Sequence, residues 1–66
     1  MTWRQLEAWA EKNGAHLDYM AYEGRVQMMM YWVGKDDCIL TAPRGTPSGA
    51  ERALCRAVAR ILESER

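Results

Sequence analysis

Metal ligands and redox motifs are scarce in this chain of 66 residues. It has two cysteines and one histidine, and Cys38 and Cys55 do not form a CxxC pair. A structural zinc site needs about four nitrogen or sulfur ligands, and a thioredoxin-like site needs closely spaced cysteines. The sequence therefore has too few ligands for either, and we expect two reduced, structural cysteines with no metal and no cofactor.

Long apolar runs are also absent. A membrane-spanning helix needs about 20 apolar residues, and the chain has no such stretch, no secretory h-region and no lipidation motif. We therefore expect a cytoplasmic protein without membrane contact. A chain of about 60 residues buries only about 60% of its unfolded surface, so residues 1–66 are predicted to form one domain without a large enclosed active site.

Neither charge sign is in excess, because nine basic residues balance nine acidic residues. A dedicated nucleic-acid-binding domain usually carries a positive excess. The charge is unevenly distributed, however. Residues 1–37 contain four basic and six acidic side chains, whereas residues 38–66 contain five arginines and three glutamates. The basic side of the molecule is therefore expected in the second of these segments.

The strongest pattern that is present is a β-hairpin over residues 15–33. Glu23-Gly24 is predicted to be a two-residue turn that pairs Tyr22 with Arg25. Because side chains alternate across a strand, odd positions before the turn share a face with even positions after it. That face is apolar and predicts the core side of the sheet, which comprises Ala15, Leu17, Tyr19, Ala21, Val26, Met28, Met30 and Trp32.

The opposite side of the hairpin, which we call the outer face, has a mixed composition. It is too apolar for an ordinary solvated surface and too polar for a second core. Its residues in the hairpin are His16, Asp18, Met20, Tyr22, Arg25, Gln27, Met29 and Tyr31. The pattern indicates a surface that meets another molecule.

A third strand is predicted at Cys38–Ala42, after a turn at residues 34–37. If Lys35-Asp36 is the centre of that turn, Ile39 joins the core and Leu40 joins the outer face. The expected pairs are then Val33 with Cys38, Trp32 with Ile39, and Tyr31 with Leu40. A slip of one residue would bury Leu40 instead.

The segment before the hairpin predicts a helix. Thr2 and Gln5 have the spacing of a capping box, in which each side chain satisfies a backbone donor at the helix start. The helix is predicted from about Trp3 to Asn13. Gly14 supplies the left-handed residue that ends many helices.

The last segment predicts a second helix that runs to about Glu63. It starts either with Thr46 as the cap and Pro47 in the first turn, or with Ser48 as the cap and Glu51 three residues on. Its apolar stripe comprises Ala50, Ala53, Leu54, Ala57, Val58, Ile61 and Leu62. The whole chain therefore predicts an α+β fold of α-β-β-β-α order, with a three-stranded antiparallel sheet and both helices packed on one face.

This α-β-β-β-α order resembles the double-stranded-RNA-binding domain, and the resemblance covers nearly the whole chain. It is a resemblance of topology, without the RNA-contact motifs. That family contacts RNA through its first helix, the loop between its first two strands and a lysine-rich start of its last helix. Here the loop is reduced to Glu23-Gly24, and residues 48–52 contain no lysine. The resemblance implies phosphate contacts by Arg44, Arg52 and Arg56.

The arginines of the last segment have two interpretations. Arg44, Arg52 and Arg56 are the candidate nucleic-acid-binding residues, assisted by the positive end of the helix dipole. Alternatively, Arg52, Arg56 and Arg60 recur every fourth residue as the solvated side of an amphipathic helix. The neutral net charge favours the second interpretation.

Catalytic chemistry is not indicated. His16, Asp18 and Tyr31 lie near one another on the predicted outer face, which invites an acid–base interpretation. An open sheet face, however, offers no pocket that excludes water. Asp36 and Asp37 supply too few oxygen ligands for a calcium loop. We therefore expect no catalytic residues and no enzyme activity.

The outer face gives the leading functional hypothesis, since methionine, aromatic residues and arginine are enriched in protein interfaces. We expect a non-catalytic protein-binding module, either an inhibitor or an adaptor, by analogy of size with small phage-encoded proteins. Alternatively, a second copy of the chain covers the same face in a homodimer. The expected partner-binding residues are His16, Met20, Tyr22, Arg25, Gln27, Met29, Tyr31 and Leu40. Binding of double-stranded RNA is the alternative function.

Overall fold

A computed structural model describes residues 1–65 and contains two helices and three strands in those residues. The strands form one antiparallel sheet in the order β1-β2-β3. The predicted α+β class and α-β-β-β-α order are therefore confirmed. The elements are α1 (Trp3–Lys12), β1 (Ala15–Tyr22), β2 (Arg25–Trp32), β3 (Cys38–Leu40) and α2 (Pro47–Ser64).

Both helices begin at the caps that their sequences favour. In α1 the Thr2 hydroxyl accepts a hydrogen bond from the Gln5 backbone N–H at 3.2 Å, and the Gln5 side chain accepts from the Thr2 N–H at 2.8 Å. In α2 the Thr46 hydroxyl accepts from the Gly49 N–H at 3.1 Å. Thr46 rather than Ser48 is therefore the cap, which resolves the two alternatives.

The turn at Glu23-Gly24 sets the hairpin register. Both residues have positive φ angles, 50° at Glu23 and 72° at Gly24. Consecutive left-handed residues make a two-residue turn whose twist matches that of the strands. Tyr22 therefore pairs with Arg25, and the pairing continues without a break to Ala15 opposite Trp32. This is the predicted register.

The predicted register of the third strand is wrong by two residues. Residues 33–37 form a longer loop instead of a two-residue turn, with Gly34 at φ 80°. A shift of two keeps every side chain on its face, so Ile39 still packs against the core and Leu40 still lies on the outer face. The observed pairs are Met29 with Leu40, Met30 with Ile39, and Tyr31 with Cys38.

The strand also ends at Leu40, two residues before the predicted end, because Thr41 changes the pairing pattern. Thr41 is buried, with 7% of its surface exposed. Its hydroxyl accepts a hydrogen bond from the Met28 N–H at 3.0 Å and donates one to the Met28 carbonyl oxygen at 3.3 Å. That carbonyl oxygen also accepts from the Thr41 N–H at 3.1 Å. A side chain thus replaces a backbone acceptor in the sheet.

Pairing with β2 resumes at Arg44. The N–H of each of Val26 and Arg44 donates to the carbonyl oxygen of the other, both at 2.8 Å. Ala42 and Pro43 lie between Thr41 and this bridge, so two residues oppose Gln27 alone. Proline has no N–H to donate, and such a bulge is a position where the sheet tolerates it.

The core lies between the sheet and the two helices. Trp9 of α1 and Trp32 of β2 meet edge to face, with ring centroids 6.4 Å apart and planes at 85°. Burying a large apolar side chain stabilises a fold by about 1.5–3 kcal/mol. The fully packed cluster comprises Leu6, Ala10, Met28, Met30, Ala50, Leu54, Cys55 and Val58.

Two predicted core residues, Tyr19 and Ala21, are exposed instead. The reason is length. Eight residues of β1 span about 26 Å at 3.3 Å per residue, whereas ten residues of α1 span about 15 Å. The first helix therefore cannot cover the whole strand, and the end near the turn stays open.

Tyr19 uses its position at the edge of the core to reach the second helix. It is 45% exposed, and its hydroxyl donates a hydrogen bond to Glu51 Oε1. Ionisation would remove this donor and place a negative charge beside a carboxylate. The hydrogen bond to Glu51, followed by partial burial, raises the pKa of Tyr19 from 10.0 to about 12.

Replacing Thr41 by valine is expected to destabilise the fold by about 1–3 kcal/mol, because the buried Met28 N–H loses its acceptor. Urea unfolding followed by circular dichroism measures the change. Thr41→Ser keeps the hydroxyl and is the matched control, expected to lose much less. Equal losses in the two variants would show that packing of the threonine methyl, and not the hydrogen bond, stabilises this site.

Tyr19→Phe is expected to remove a pH dependence of stability. Because the folded pKa is above the unfolded value, the stabilising contribution of Tyr19 is complete below pH 10 and is lost as the pH rises towards about 12. Unfolding free energies of the wild type and variant should therefore converge in that range. A gap that stays constant with pH would contradict the assignment. Glu51→Gln removes the carboxylate that accepts the hydrogen bond, so it should also reduce this pH dependence.

Candidate functional site

The outer face is the side of the sheet that faces away from both helices. Met28 and Met30 point into the core, so the residues that alternate with them on β2 point the other way. Within residues 1–65, no helix packs over this side. Cross-strand pairing places all the predicted residues on it, namely His16, Asp18, Met20, Tyr22, Arg25, Gln27, Met29, Tyr31 and Leu40.

The centre of the outer face is apolar. Met29 lies between Asp18 and Leu40 in one cross-strand row. Leu40 is 53% exposed and Tyr22 is 48% exposed. Met20 and Met29 are half-buried although no helix or strand of the described residues lies above them, so neighbouring side chains provide their cover. Apolar side chains are therefore exposed on the side of the sheet that neither helix covers.

His16, Asp18 and Tyr31 do lie on one face, but they do not form an acid–base arrangement. The His16 and Tyr31 rings stack as a cross-strand pair, with centroids 5.4 Å apart and planes at 26°. Asp18 Oδ1 instead accepts from the Tyr19 backbone N–H at 2.8 Å. The histidine therefore contributes flat contact area, and the aspartate satisfies a backbone donor.

The two cysteines have different environments, and neither is in a disulfide. Cys55 belongs to the core, and its burial raises the pKa of its thiol. Cys38 is exposed on β3 opposite Tyr31. The expectation of a structural role holds for the place of Cys55 in the core but is wrong for Cys38, because the edge strand leaves its side chain outside the packed layer.

Three arginines come together beside α2, between its start and its middle. Arg52 and Arg56 lie one turn apart on the helix, and the bridge to Val26 holds Arg44 beside them. Together with Thr46 and Gly49 they line one cleft of about 350 Å³. All three arginine side chains are exposed, and the N-terminal end of a helix adds a partial positive charge. The predicted set is therefore spatially clustered.

Arg60 follows Arg52 and Arg56 at the same four-residue spacing and is exposed, but it does not line this cleft. Two of these three helix arginines thus line a concave site, and the third is on the solvated surface. The two interpretations of the arginines apply to different residues of the same helix.

Two further clefts were not predicted from the sequence. One, of about 390 Å³, lies where residues 1–3 meet α2 near Glu51 and Cys55, and it shares Arg52 and Arg56 with the arginine cleft. The other, of about 440 Å³, lies between α1 and β1 and is lined by Glu7, Glu11, Leu17 and neighbouring residues. Both depend on how the elements pack. The only sequence signal is the four-residue spacing of Glu7 and Glu11, which places both on one side of α1.

No group of three His, Cys, Asp or Glu side chains in residues 1–65 has the proximity to hold a metal ion. Neither helix in the described part of the chain combines the length and apolar character needed to cross a membrane.

Comparison with known proteins found no match to any protein-family model, to any curated protein or to any solved structure.

Proposed function

We propose that the chain is a small, non-catalytic protein-binding module, an inhibitor or an adaptor, that uses its outer face. The observation that carries this proposal is the uncovered apolar centre around Met29 and Leu40. In a domain of this size, apolar area is scarce and its burial is the main source of stability. Apolar side chains left on an open sheet face are best explained by a partner that covers them.

The surroundings of this centre support a specific interface. Asp18, Arg25 and Gln27 supply hydrogen-bonding groups around the apolar side chains. Protein interfaces combine an apolar centre with a polar rim, and are enriched in aromatic residues, methionine and arginine. Methionine also adapts to the shape of a partner because its side chain is flexible and polarisable. The mixture is therefore suited to a protein surface rather than to a small molecule.

A second copy of the chain is the alternative occupant of the same face. Most soluble oligomers are symmetric dimers, in which one patch contacts its own copy. In both cases Met29 and Leu40 become buried. Oligomeric state separates the two occupants, so it is the first property to measure.

Leu40→Asp is expected to abolish association through the outer face, because it places a carboxylate in the apolar centre. The exposure of Leu40 means that the fold should be retained, which circular dichroism checks. Val33→Asp is the matched control. Val33 is 76% exposed and lies in the loop outside the β2–β3 pairing, so this variant should bind the partner normally.

Size-exclusion chromatography with light scattering, at low and high concentration, first tests for a dimer. If the chain is monomeric, a partner is isolated from the cells that encode it, purified and titrated against both variants. The loss expected for Leu40→Asp is at least about tenfold, equivalent to about 1.4 kcal/mol. Equal affinity of wild type and Leu40→Asp would refute the outer face as the binding surface.

Nucleic-acid binding is a second candidate, and the convergence of Arg44, Arg52 and Arg56 on one cleft favours it. Guanidinium groups bind phosphate in a bidentate manner, and a helix start is a favourable place for an anion. Two observations weigh against it: the net charge is zero, and the short turn at Glu23-Gly24 cannot reach across a groove. It therefore remains the alternative.

The double variant Arg52→Glu/Arg56→Glu tests this alternative against Arg60→Glu, which changes the charge of the same helix outside the cleft. If the cleft binds a B-form DNA duplex through three phosphates, the logarithm of the binding constant should fall with the logarithm of salt with a slope of about −2.7, and binding to duplex RNA should likewise weaken as salt rises. The double variant should then lose binding and Arg60→Glu should retain most of it. Similar losses in both would indicate only general electrostatic attraction.

A further inference from the structure

The two edges of the sheet differ in a way that the outer face does not explain. On one side of β2, the backbone groups of Val26 and Met28 bond to Arg44 and Thr41. Residues 41–44 thus extend the short β3, which forms the sheet edge on that side, and the bulge at Pro43 interrupts its ladder. Short strands, bulges and proline are the usual protections of a sheet edge.

The other edge is β1, and its hydrogen-bonding direction follows from the same bonds. Since Val26 and Met28 bond away from β1, the alternate residues of β2 bond towards it. Their partners in β1 are the even-numbered residues. The backbone N–H and C=O groups of Leu17, Tyr19 and Ala21 therefore point outward from the sheet.

This edge has little of the protection found on the other. Its eight residues contain no proline and no lysine, and their pairing with β2 has no bulge. In residues 1–65, the one outward donor with a partner is the Tyr19 N–H, which Asp18 Oδ1 accepts. That acceptor is a side chain on an open face, so an incoming carbonyl can replace it. The edge is a template for one more strand.

The cleft between α1 and β1 adds a charge preference. It lies against the core side of the first half of β1, and its lining includes Glu7, Glu11 and Leu17, with His16 as its one other titratable residue. A strand added beside β1 would place alternate side chains over this cleft. A lysine or arginine there would lay its aliphatic stem near Leu17 and its charged end near the two glutamates. On the other face, Asp18 also favours a cation.

We propose that the free edge of β1 binds an extended peptide strand that carries basic residues. A foreign strand suits this edge better than a second copy of β1. The strand has no lysine or arginine of its own, so a second copy would bring neither side chain to Glu7 and Glu11. The proposal concerns the edge and not the outer face, so it does not depend on the function proposed above.

The probe is an eight-residue peptide, the length of β1, that alternates lysine and threonine and carries a fluorophore. Three measurements are made at low salt: fluorescence anisotropy for affinity, and NMR chemical shifts and amide exchange for location. Binding should slow the exchange of the Leu17 and Ala21 amides. A second peptide with methyl groups on alternate backbone nitrogens keeps the charges but cannot complete the ladder, and it should bind at least about tenfold more weakly.

Charge is tested with a third peptide, in which glutamate replaces lysine, and with protein variants. Glu7→Gln/Glu11→Gln should weaken binding of the lysine peptide by about threefold or more. Glu63→Gln/Glu65→Gln makes the same change of charge outside the cleft and should have little effect. Leu40→Asp, on the far strand of the sheet, should leave peptide binding unchanged, so failure of the outer-face proposal and failure of this one are distinguishable.

Several results would overturn the proposal. Equal binding of the methylated peptide would show attraction without strand pairing, and equal binding of the glutamate peptide would remove the charge preference. Absence of binding by the lysine peptide would exclude the edge as a basic-strand site. Concentration-dependent protection of Leu17 and Ala21 without any peptide would identify a second copy as the occupant instead.

Discussion

The left-handed pair Glu23-Gly24 is the constraint on which the other surfaces depend. Two consecutive positive φ angles close the hairpin with Tyr22 opposite Arg25, and the period of two then assigns every side chain of both strands to a face. It also decides which backbone groups pair within the hairpin and which point outward. A shift of one residue would exchange the core and the outer face completely. The core, the outer face and the outward direction of the odd-numbered backbone groups of β1 are therefore consequences of one turn.

The short helix α1 imposes the second constraint, because it covers only part of β1. The end of the hairpin near Tyr19 extends past it, where a hydrogen bond to Glu51 joins strand and second helix. A larger domain could bury this end with another element. In a chain of this size the open faces and edges make up much of the surface.

The two sides of the sheet were predictable because hairpin register is local information. A strong turn and alternating residues fix the faces within about twenty residues of sequence, and the caps at Thr2 and Thr46 are likewise local. The pairing of β3 was not predictable in the same way. The loop at residues 33–37 has several suitable geometries, and the hydrogen bonds of Thr41 that favour one of them involve β2, thirteen residues away.

The candidate sites likewise differ in whether local sequence or contacts between elements determine them. The sequence by itself determined the α-β-β-β-α order, the membership of the outer face and the stripe of arginines, because each follows from spacing along one element or one hairpin. Only the tertiary structure decided that Arg44 joins Arg52 and Arg56 in one cleft, that Glu7 and Glu11 flank the first strand, and that this strand is a free edge. These features depend on contacts between elements, whose packing no local pattern specifies.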